Sequence, residues 1–301
     1  MIVVTGGNGF IGANLVNKLR DQGEEVYVVD EVGDVWTDPE SFLNILAADN
    51  EYSQNIKLIY HQGACSDTTC YDPFYMMNNN FSYSAMLLNF CMQKKIRLVY
   101  ASSAAVYGNG PFYEKHSPAP KNIYAKSKAL FDDYVKCFLG ERKMPQVVGL
   151  RYFNVYGPLE HNKGKMASVI FQFFNQIKAD KKIKIFKNSE KYTRDFISVE
   201  DVVNVNLHFM ENPHISGIYN CGTGKTRSFY DIATIMQNFY DFEIEEIEMP
   251  DALKQRYQRF TQSDNTKLVS DAAYINSFLS LEEGIERYLE FLKNAEFLES
   301  R

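Results

Sequence analysis

The feature that most constrains the fold is a glycine-rich turn near the start of the chain, Thr5-Gly6-Gly7-Asn8-Gly9-Phe10-Ile11-Gly12. It follows an apolar run at 1–4 and opens an apolar-periodic stretch at 10–19, a pattern that predicts a strand, a tight turn and a helix. Gly6 and Gly9 have no Cβ, so the backbone there can approach a pyrophosphate, and Gly12 lets the helix lie close to the strand. The helix N-terminus offers N–H groups and a partial positive charge to phosphates. Because Asp30 ends the next apolar run at 26–29, the spacing predicts a dinucleotide-binding βαβ unit.

The bulk composition narrows the class of protein further. The chain has 301 residues, is 45% hydrophobic and carries a net charge of −6, so we expect neither a nucleic-acid nor a membrane partner. Met1 leads directly into the first strand, which leaves no room for a signal peptide. The five cysteines are odd in number and form no Cys-x-x-Cys pair, which favours reduced thiols, a cytoplasmic location and no metal site.

Alternating strands and helices predict the fold class. We expect strands at 57–60, 97–102, 146–151 and 217–221, and helices at 38–48, 73–93 and 123–139. This alternation is typical of an α/β fold with a Rossmann-type, doubly wound parallel sheet, whose ligands bind at the carboxyl ends of the strands. The six residues at 31–36 are too few for an ordinary crossover to a third strand at 32–35. Either the sheet lacks a strand here or the chain lacks a segment.

Beyond residue 158 the alternation loosens, and a second, smaller unit is predicted. We expect a helix at 166–178, a short strand at 183–186, helices at 228–240 and 281–292, and a frayed tail at 296–301. The resulting division gives residues 1–154 plus about 195–224 to a dinucleotide-binding domain. Residues 155–194 plus 225–301 then form an interleaved C-terminal substrate domain.

A catalytic pair is predicted on the helix at 123–139. Tyr124 and Lys128 lie one helical turn apart on the same face, and Ser103 follows the end of an earlier strand, where its hydroxyl can bind a substrate oxygen. A tyrosine acts as a base near neutral pH only when its pKa, near 10, is lowered. Lowering the pKa by about three corresponds to about 4 kcal/mol. The Lys128 ammonium and an oxidised nicotinamide could supply the necessary positive field.

Taken in order, the glycine-rich turn, the serine after the strand and the Tyr-x-x-x-Lys pair resemble the extended short-chain dehydrogenase/reductase superfamily. Further segments resemble the ADP-L-glycero-D-manno-heptose 6-epimerases within it: His-Gln-Gly-Ala-Cys-Ser-Asp-Thr-Thr at 61–69, Tyr-Met-Met-Asn-Asn-Asn at 75–80, Arg-Tyr-Phe-Asn-Val-Tyr-Gly-Pro at 151–158, Lys-Gly-Lys-Met-Ala-Ser-Val at 163–169, Arg-Asp-Phe at 194–196 and Arg-Tyr-Gln-Arg-Phe-Thr-Gln at 256–262. The 151–158 segment recurs in many nucleotide-sugar epimerases, whereas the segments at 61–69 and 163–169 are more particular.

The resemblance implies an isomerase that inverts C6 of ADP-D-glycero-D-manno-heptose through a 6-keto intermediate, in lipopolysaccharide inner-core heptose biosynthesis. It maps the two acid/base groups onto Tyr124 and Lys163, with Lys128 and Ser103 assisting, and implies one tightly bound NADP or NAD per subunit. It also implies a homo-oligomer, a homopentamer in the family. Tyr124→Phe and Lys163→Met should each lose most activity while the cofactor stays bound.

The resemblance also assigns ligand contacts. Cofactor contacts are expected from Gly6, Gly9, Phe10, Ile11, Gly12, Asp30, Glu31, Gln62, Gly63, Ala64, Cys65, Ser66, Asn79, Lys128, Val155 and Lys163. Substrate contacts are expected from Ser103, Asn154, Lys165, Gln172, Phe186, Lys187, Asn188, Ser189, Arg194 and Tyr257. The chain departs from the family at Lys165 and Gln172, which replace serine and histidine. It also departs at the middle of 186–189, where the family has Phe-Glu-Gly-Ser.

Two questions stay open from the residues. Asp30 and Glu31 would accept a ribose 2′-hydroxyl and repel a 2′-phosphate, and 31–56 contains no lysine or arginine, so local chemistry favours NAD while the family habit is NADP. The alternative functions are another nucleotide-sugar epimerase, such as a UDP-galactose 4-epimerase, or a non-catalytic dinucleotide-sensing protein. A sugar 4,6-dehydratase is disfavoured because alanines occupy the positions after Ser103 where elimination needs acids.

Overall fold

The computed structural model of the chain describes residues 1–30, 39–48, 51–251 and 258–299. The possible third strand at 32–35 lies outside these ranges. The strands are β1 Ile2–Thr5, β2 Val26–Val29, β3 Leu58–His61, β4 Arg97–Ser103, β5 Val147–Tyr152, β6 Asn154–Tyr156, β7 Lys182–Phe186, β8 Thr193–Arg194, β9 Phe196–Ser198, β10 Gly217–Cys221, β11 Arg227–Ser228 and β12 Glu243–Ile247. The α-helices are α1 Phe10–Asp21, α2 Pro39–Ala47, α3 Glu51–Asn55, α4 Pro73–Met77, α5 Tyr83–Lys94, α6 Ile123–Lys136, α7 Val169–Asp180, α8 Val199–Glu211, α9 Phe229–Gln237, α10 Thr266–Ser270 and α11 Leu281–Glu299.

A six-stranded sheet in the order β10-β5-β4-β3-β1-β2 forms the centre of the molecule, and every neighbouring pair is parallel. The register pairs Thr5 with both Val29 and His61, so the carboxyl ends of β1, β2 and β3 meet at one edge of the sheet. The chain runs from β1 to β2 on one side of β1 and then returns to β3 on its other side. The edge above β1 and β3 is therefore the topological switch point at which such sheets bind ligands.

Helices cover both faces of this sheet, which confirms the predicted doubly wound fold. On one face, α1 and α8 bury Leu15, Leu19 and Phe209 against the strands. On the other face, α2, α5 and α6 bury a second cluster that includes Leu88 and Phe131. Strands buried on both faces in this way consist of nearly continuous apolar residues, which is why they were predictable from sequence.

The helix predicted at 73–93 is interrupted. Asp72 accepts hydrogen bonds from the backbone of Phe74 and Tyr75 at 2.9 and 3.0 Å and so caps α4. Residues 78–82 then form a π-helical turn before α5 continues to Lys94. Such turns insert one extra residue into a helix and are frequent at functional sites. The turn occupies the asparagine segment at 78–80.

A second hydrophobic core lies apart from the sheet and is built from α7, α9, α11 and the parallel pair β7 and β12. The helix α7 begins at Val169, three residues later than predicted, because the Ser168 hydroxyl caps it by accepting from the Phe171 N–H at 3.3 Å. The prediction of a frayed tail from 296 is wrong as far as Glu299, since α11 continues to that residue. Within the described ranges, the longest helices lack the length and apolar character needed to cross a lipid bilayer.

Candidate active site

A cavity of about 740 Å³ opens at the carboxyl edge of the sheet, above the switch point. Its lining comes from the carboxyl ends of five of the six central strands and the turns after them, and from the segment before α7. The helices α1, α4, α5 and α6 and the π-helical turn also contribute lining residues. The residues that line it and were predicted as site residues are Gly6, Gly9, Phe10, Ile11, Gly12, Asp30, Gln62, Gly63, Ala64, Cys65, Ser66, Asn79, Ser103, Tyr124, Lys128, Val155, Lys163 and Lys165. The described chain thus brings the predicted catalytic and cofactor residues to one place.

The glycine-rich turn has no space for a side chain at Gly6 or Gly12. A Cβ added to Gly6, where φ is +67°, would lie 2.5 Å from the Gly63 nitrogen, and one added to Gly12 would lie 2.0 Å from the Gly6 oxygen. Gly9 is the N-cap of α1 and provides no side-chain cap, so the first-turn N–H groups face the cavity lining. The Asn8 N–H donates to the Asp30 carboxylate at 2.8 Å. This cradle fits the pyrophosphate and adenosine ribose of a nicotinamide dinucleotide.

A buried polar chain supports the turn after β3. The Thr5 hydroxyl lies 2.6 Å from Nδ1 of His61, and Nε2 of His61 lies 2.8 Å from the Ser84 hydroxyl, which donates to the Asn80 carbonyl at 2.9 Å. Burial and the charge of Lys128 lower the pKa of His61 to about 3, so the imidazole is neutral. The network therefore joins β1, β3 and the π-helical turn without a net charge.

Asn80 is a positioning residue that the sequence did not single out. Its side chain accepts from the Cys65 N–H at 2.8 Å and donates to the Cys65 carbonyl at 3.0 Å, which fixes the cofactor-side turn. It also donates to the Ser127 hydroxyl on α6 at 3.1 Å. The predicted Asn79 lines the cavity, and its neighbour holds the cavity wall. The only sequence signal was membership of the same three-asparagine run.

The helix α6 carries the Tyr124 and Lys128 pair. It begins after Asn122, whose side chain accepts from the Ala125 N–H at 2.7 Å. The Lys128 side chain is 5% exposed, and its ammonium donates to the Ala101 carbonyl at 2.8 Å, near the end of β4. Tyr124 is half-buried and lines the cavity together with Ser103, the last residue of β4. The predicted pair thus meets the predicted serine.

Burial is the largest influence on the pKa values of Tyr124 and Lys128. Burial raises the pKa of Tyr124, and a hydrogen bond with Ser103 lowers it. Burial also lowers the pKa of Lys128 to about 8. In the ligand-free protein the lowering influence on the pKa of Tyr124 comes from Ser103, and the Lys128 ammonium donates to the Ala101 carbonyl. The combined field of Lys128 and an oxidised nicotinamide stays a prediction. Tyr124 is a neutral phenol in the ligand-free protein.

A buried ion pair fixes α6 to the sheet. Nε of Arg151 on β5 lies 2.8 Å from the Asp132 carboxylate on α6, and both side chains are fully buried. The Tyr100 hydroxyl donates to the other Asp132 oxygen at 2.9 Å. The ion pair lies about two helical turns from Tyr124 and fixes the position of α6 relative to the sheet.

Lys163 lines the same cavity but belongs to a different element, the 3₁₀ segment His161–Met166 before α7. Its ammonium lies 5.4 Å from the ring centroid of Phe10, at the start of α1, in a cation–π contact. Burial lowers the pKa of Lys163, and the charge of Glu160 raises it. Tyr124 and Lys163 therefore approach one cavity from two separate elements, which is what a reaction with two acid/base groups needs.

The remaining predicted ligand residues lie elsewhere. Glu31 and Tyr257 lie outside the described residues. The residues Asn154, Gln172, Phe186, Lys187, Asn188, Ser189 and Arg194 do not line the cavity. Gln172 donates to the Gly164 carbonyl at 2.9 Å and so supports the Lys163 loop from α7. Lys187 pairs with Glu248 at 2.7 Å, and the Arg194 guanidinium donates to the Thr193 carbonyl at 2.9 Å and to the Gln258 carbonyl.

Several lining residues were missed. The cavity wall also contains Asp67, Thr69, Tyr75, Tyr83, Asn162 and Met166. Most of them belong to segments already quoted for the resemblance. The sequence therefore indicated the segments that form the wall, but it did not indicate which side chains in them face the cavity. Among the described residues, no group of three or more His, Cys, Asp or Glu side chains could hold a metal ion.

Comparison with known proteins gives a consistent result. Residues 2–222 match the NAD dependent epimerase/dehydratase family. A relative from Brachyspira hyodysenteriae, named ADP-L-glycero-D-manno-heptose-6-epimerase, is 46% identical over 314 residues, which cover 98% of this chain and 98% of that protein. The crystal structure of the Helicobacter pylori ADP-L-glycero-D-manno-heptose-6-epimerase is 32% identical, covers 97% of this chain and 96% of that chain, and superposes with a TM-score of 0.81. The Thermotoga maritima UDP-glucose 4-epimerase is 26% identical with a TM-score of 0.82 and covers 98% of this chain and 99% of that chain. With its parallel sheet, its glycine-rich turn and its Tyr124 and Lys128 pair, this chain belongs to the NAD dependent epimerase/dehydratase family.

Proposed function

We propose that this protein epimerises C6 of ADP-D-glycero-D-manno-heptose to give ADP-L-glycero-D-manno-heptose, in the supply of heptose for the lipopolysaccharide inner core. The observation that carries the proposal is that Tyr124 and Lys163 line one cavity from two separate elements. It is supported by the 46% identity to a relative of that name over nearly the full length of both chains. Its five free thiols are consistent with a cytoplasmic enzyme.

A nicotinamide dinucleotide, when bound, would accept and return hydride at one face of the sugar carbon. One acid/base residue removes the C6 hydroxyl proton as the ketone forms, and the second returns a proton to the oxygen after the ketone has turned. We assign the two proton transfers to Tyr124 and Lys163, which both line the cavity, and burial lowers the pKa of Lys163, which eases release of its proton. Ser103 holds the substrate oxygen beside Tyr124.

We infer that the coenzyme is NAD. Asp30 lines the cavity and accepts the Asn8 N–H at 2.8 Å, so a carboxylate is held beside the glycine-rich turn. A carboxylate in this position accepts a ribose hydroxyl and repels a 2′-phosphate. Nucleotide released from purified protein by denaturation and identified by mass spectrometry tests this directly, and recovery of NADP would overturn it.

We further propose that residues 155–194 and 225–301 bind the nucleotide-sugar part of the substrate. Two features of this region support the proposal. Among the described residues, the Ser189 hydroxyl is buried without a hydrogen-bond partner, and it lies in the 186–189 turn after β7. Arg194 is only 6% exposed, and its guanidinium lies 5.6 Å from the ring centroid of Phe229. This contact restricts the orientation of a guanidinium that could bind a diphosphate.

The test of the function is incubation with ADP-D-glycero-D-manno-heptose, with UDP-glucose in parallel, followed by NMR at the sugar C6 and C4 positions. We expect the L-glycero epimer to accumulate and UDP-glucose to be unchanged. Conversion of UDP-glucose would move the assignment to a 4-epimerase. No conversion of either, in protein that carries its dinucleotide, would favour a sensing protein.

The acid/base roles are tested by Tyr124→Phe and Lys163→Met. Each should lower turnover by about 100-fold or more while the bound dinucleotide is retained, because general acid–base catalysis contributes about 10²–10⁴-fold. Lys126→Met, on the exposed side of the same helix as Tyr124, is the matched control and should turn over normally. Near-normal turnover of the Lys163 variant would remove the role of that lysine.

A further inference from the structure

The segment that carries Lys163 is held by one buried acid. Glu160 is 1% exposed, although it precedes a surface 3₁₀ segment whose His161 and Asn162 are exposed. Acidic side chains are rarely buried to this extent unless they are paired or hydrogen-bonded. The position of this carboxylate therefore requires a structural or functional reason.

The hydrogen bonds of the carboxylate tie the two ends of the segment together. One Glu160 oxygen accepts from the Gly157 N–H at 3.2 Å and from the Ser168 hydroxyl at 2.7 Å, and the other accepts from the Ser168 N–H at 2.5 Å. Gly157 precedes the segment, and Ser168 is the N-cap of α7. The Glu160 carbonyl additionally accepts the Lys163 N–H at 3.0 Å. Four donors on three residues thus converge on Glu160.

The backbone of the segment needs such a constraint. Gly157 has φ +139°, Leu159 has φ +70° and Gly164 has φ +51°, so three positions within eight residues are in the left-handed half of conformational space. A non-glycine residue such as Leu159 adopts this conformation at an energetic cost of about 1 kcal/mol or more. Interactions elsewhere must over-determine it. The carboxylate of Glu160, one residue later, provides them.

The charge of Glu160 also acts on Lys163. Burial disfavours the ammonium form of Lys163, and the negative charge of Glu160 is the opposing influence on its pKa. From α11, Tyr288 packs beside the carboxylate, where burial and then the Glu160 charge raise its pKa, so it remains a neutral phenol. From α1, the uncharged Phe10 ring faces the Lys163 ammonium. Glu160 is therefore a charged group whose influence on the pKa of Lys163 opposes that of burial.

We propose that Glu160 is a positioning residue for Lys163, because its carboxylate joins the two ends of the loop that carries this lysine and its carbonyl accepts the Lys163 N–H. Glu160 does not touch the space where substrate reacts, since it does not line the cavity. This inference rests on the proposed role of Lys163 in epimerisation. It assigns the loop two separable properties, a geometry that depends on the span of the side chain and a charge balance that depends on its ionisation.

Two variants separate these properties. Glu160→Gln keeps the length and removes the charge, whereas Glu160→Asp keeps the charge and is one methylene too short to reach both Gly157 and Ser168. Each should lower kcat by about 10-fold to 100-fold with KM changed less than about 3-fold, since small misplacements of a reacting group have effects of this size. The matched control is Glu141→Gln, which changes an exposed acid in the loop between α6 and β5 and should behave like the parent protein.

The readout that a merely structural role would not move is the titration of Lys163 itself. Competitive acetylation at a series of pH values, quantified at Lys163 and at the neighbouring Lys165 by tandem mass spectrometry, gives the midpoint for each amine without substrate or turnover. We expect the Lys163 midpoint to fall in Glu160→Gln and to stay near the parent value in Glu160→Asp, because only the first loses the negative charge. Lys165 serves as the internal reference in the same peptide.

The outcomes keep this inference distinct from the proposed function. If the parent protein epimerises no ADP-heptose but the Lys163 midpoint falls in Glu160→Gln, the proposed function fails and the charge coupling stands. A Glu160→Gln variant with parental kcat and an unchanged Lys163 midpoint would overturn the inference. A loss of activity in both variants with no change in the midpoint would reduce Glu160 to a loop-folding residue and overturn its charge role.

Discussion

Replacing Lys128 with methionine should abolish catalysis and make the ligand-free protein more stable. Burial lowers the pKa of Lys128 from 10.5 to about 8, so keeping this side chain protonated in the fold is unfavourable at neutral pH. A pKa lowered by about 2.5 corresponds to about 3 kcal/mol. Methionine has a similar length and no charge to desolvate. It forgoes the hydrogen bond to the Ala101 carbonyl, which is worth about 1–2 kcal/mol net.

The net gain expected for Lys128→Met is therefore about 1–2 kcal/mol at pH 7. For a chain of 301 residues that corresponds to a rise in melting temperature of about 2–3 °C. The measurement is thermal unfolding of dinucleotide-free protein followed by circular dichroism. Lys126→Met is the matched control, because Lys126 is exposed two residues away on the same helix and should leave the melting temperature unchanged.

The pH dependence makes this prediction specific to the lysine charge. Because the folded-state pKa is the lower one, the folded protein binds fewer protons than the unfolded chain between pH 8 and pH 10.5, and its stability rises with pH across that window. The advantage of Lys128→Met should therefore shrink by about 1 kcal/mol between pH 7 and pH 9. A variant that is less stable than the parent by the same amount at both pH values would refute the reasoning.

Three further substitutions test the residues that support the site. Gly12→Ala places a Cβ 2.0 Å from the Gly6 oxygen and should weaken dinucleotide binding by about 100-fold in fluorescence titration, whereas Gly9→Ala, with a 3.2 Å contact to the same atom, should have a smaller effect. Equal effects of the two would contradict the packing argument. Asp132→Asn leaves the fully buried Arg151 without its counter-charge and should destabilise the protein by about 3–5 kcal/mol in denaturant unfolding, and a change below 1 kcal/mol would contradict it.

The sheet was predictable because its strands are buried on both faces. The strands at 26–29 and 217–221 have the predicted bounds, and β3, β4 and β5 begin or end within one residue of prediction. Parallel strands covered by helices need continuous apolar residues, so the pattern along the chain reports burial directly. The carboxyl-end position of the site then followed from topology and not from any single side chain.

The inner wall of the site was not predictable from sequence pattern. Which asparagine of 78–80 points inward depends on the one-residue offset of the π-helical turn, and that offset has no signature in hydrophobic periodicity. Lys163 was assigned by resemblance, since a lysine in a loop has the same appearance as a solvated one. Glu160 escaped attention for the same reason, because its burial follows from bonds to Gly157 and Ser168 that close only in three dimensions.

The direction of the electrostatic changes explains why stability and function are opposed in this cavity. Burial disfavours the charged form of both Lys128 and Lys163, and it keeps Tyr124 neutral. The ammonium groups in the cavity therefore lower the stability of the ligand-free protein. The N-terminus of α1 adds a partial positive charge at the same cavity. An anionic ligand is the natural partner for such a site, since its phosphates are attracted to the positive charge that destabilises the empty protein. Binding should therefore raise the melting temperature of the parent protein more than that of Lys128→Met, because the variant has one fewer buried cation to stabilise.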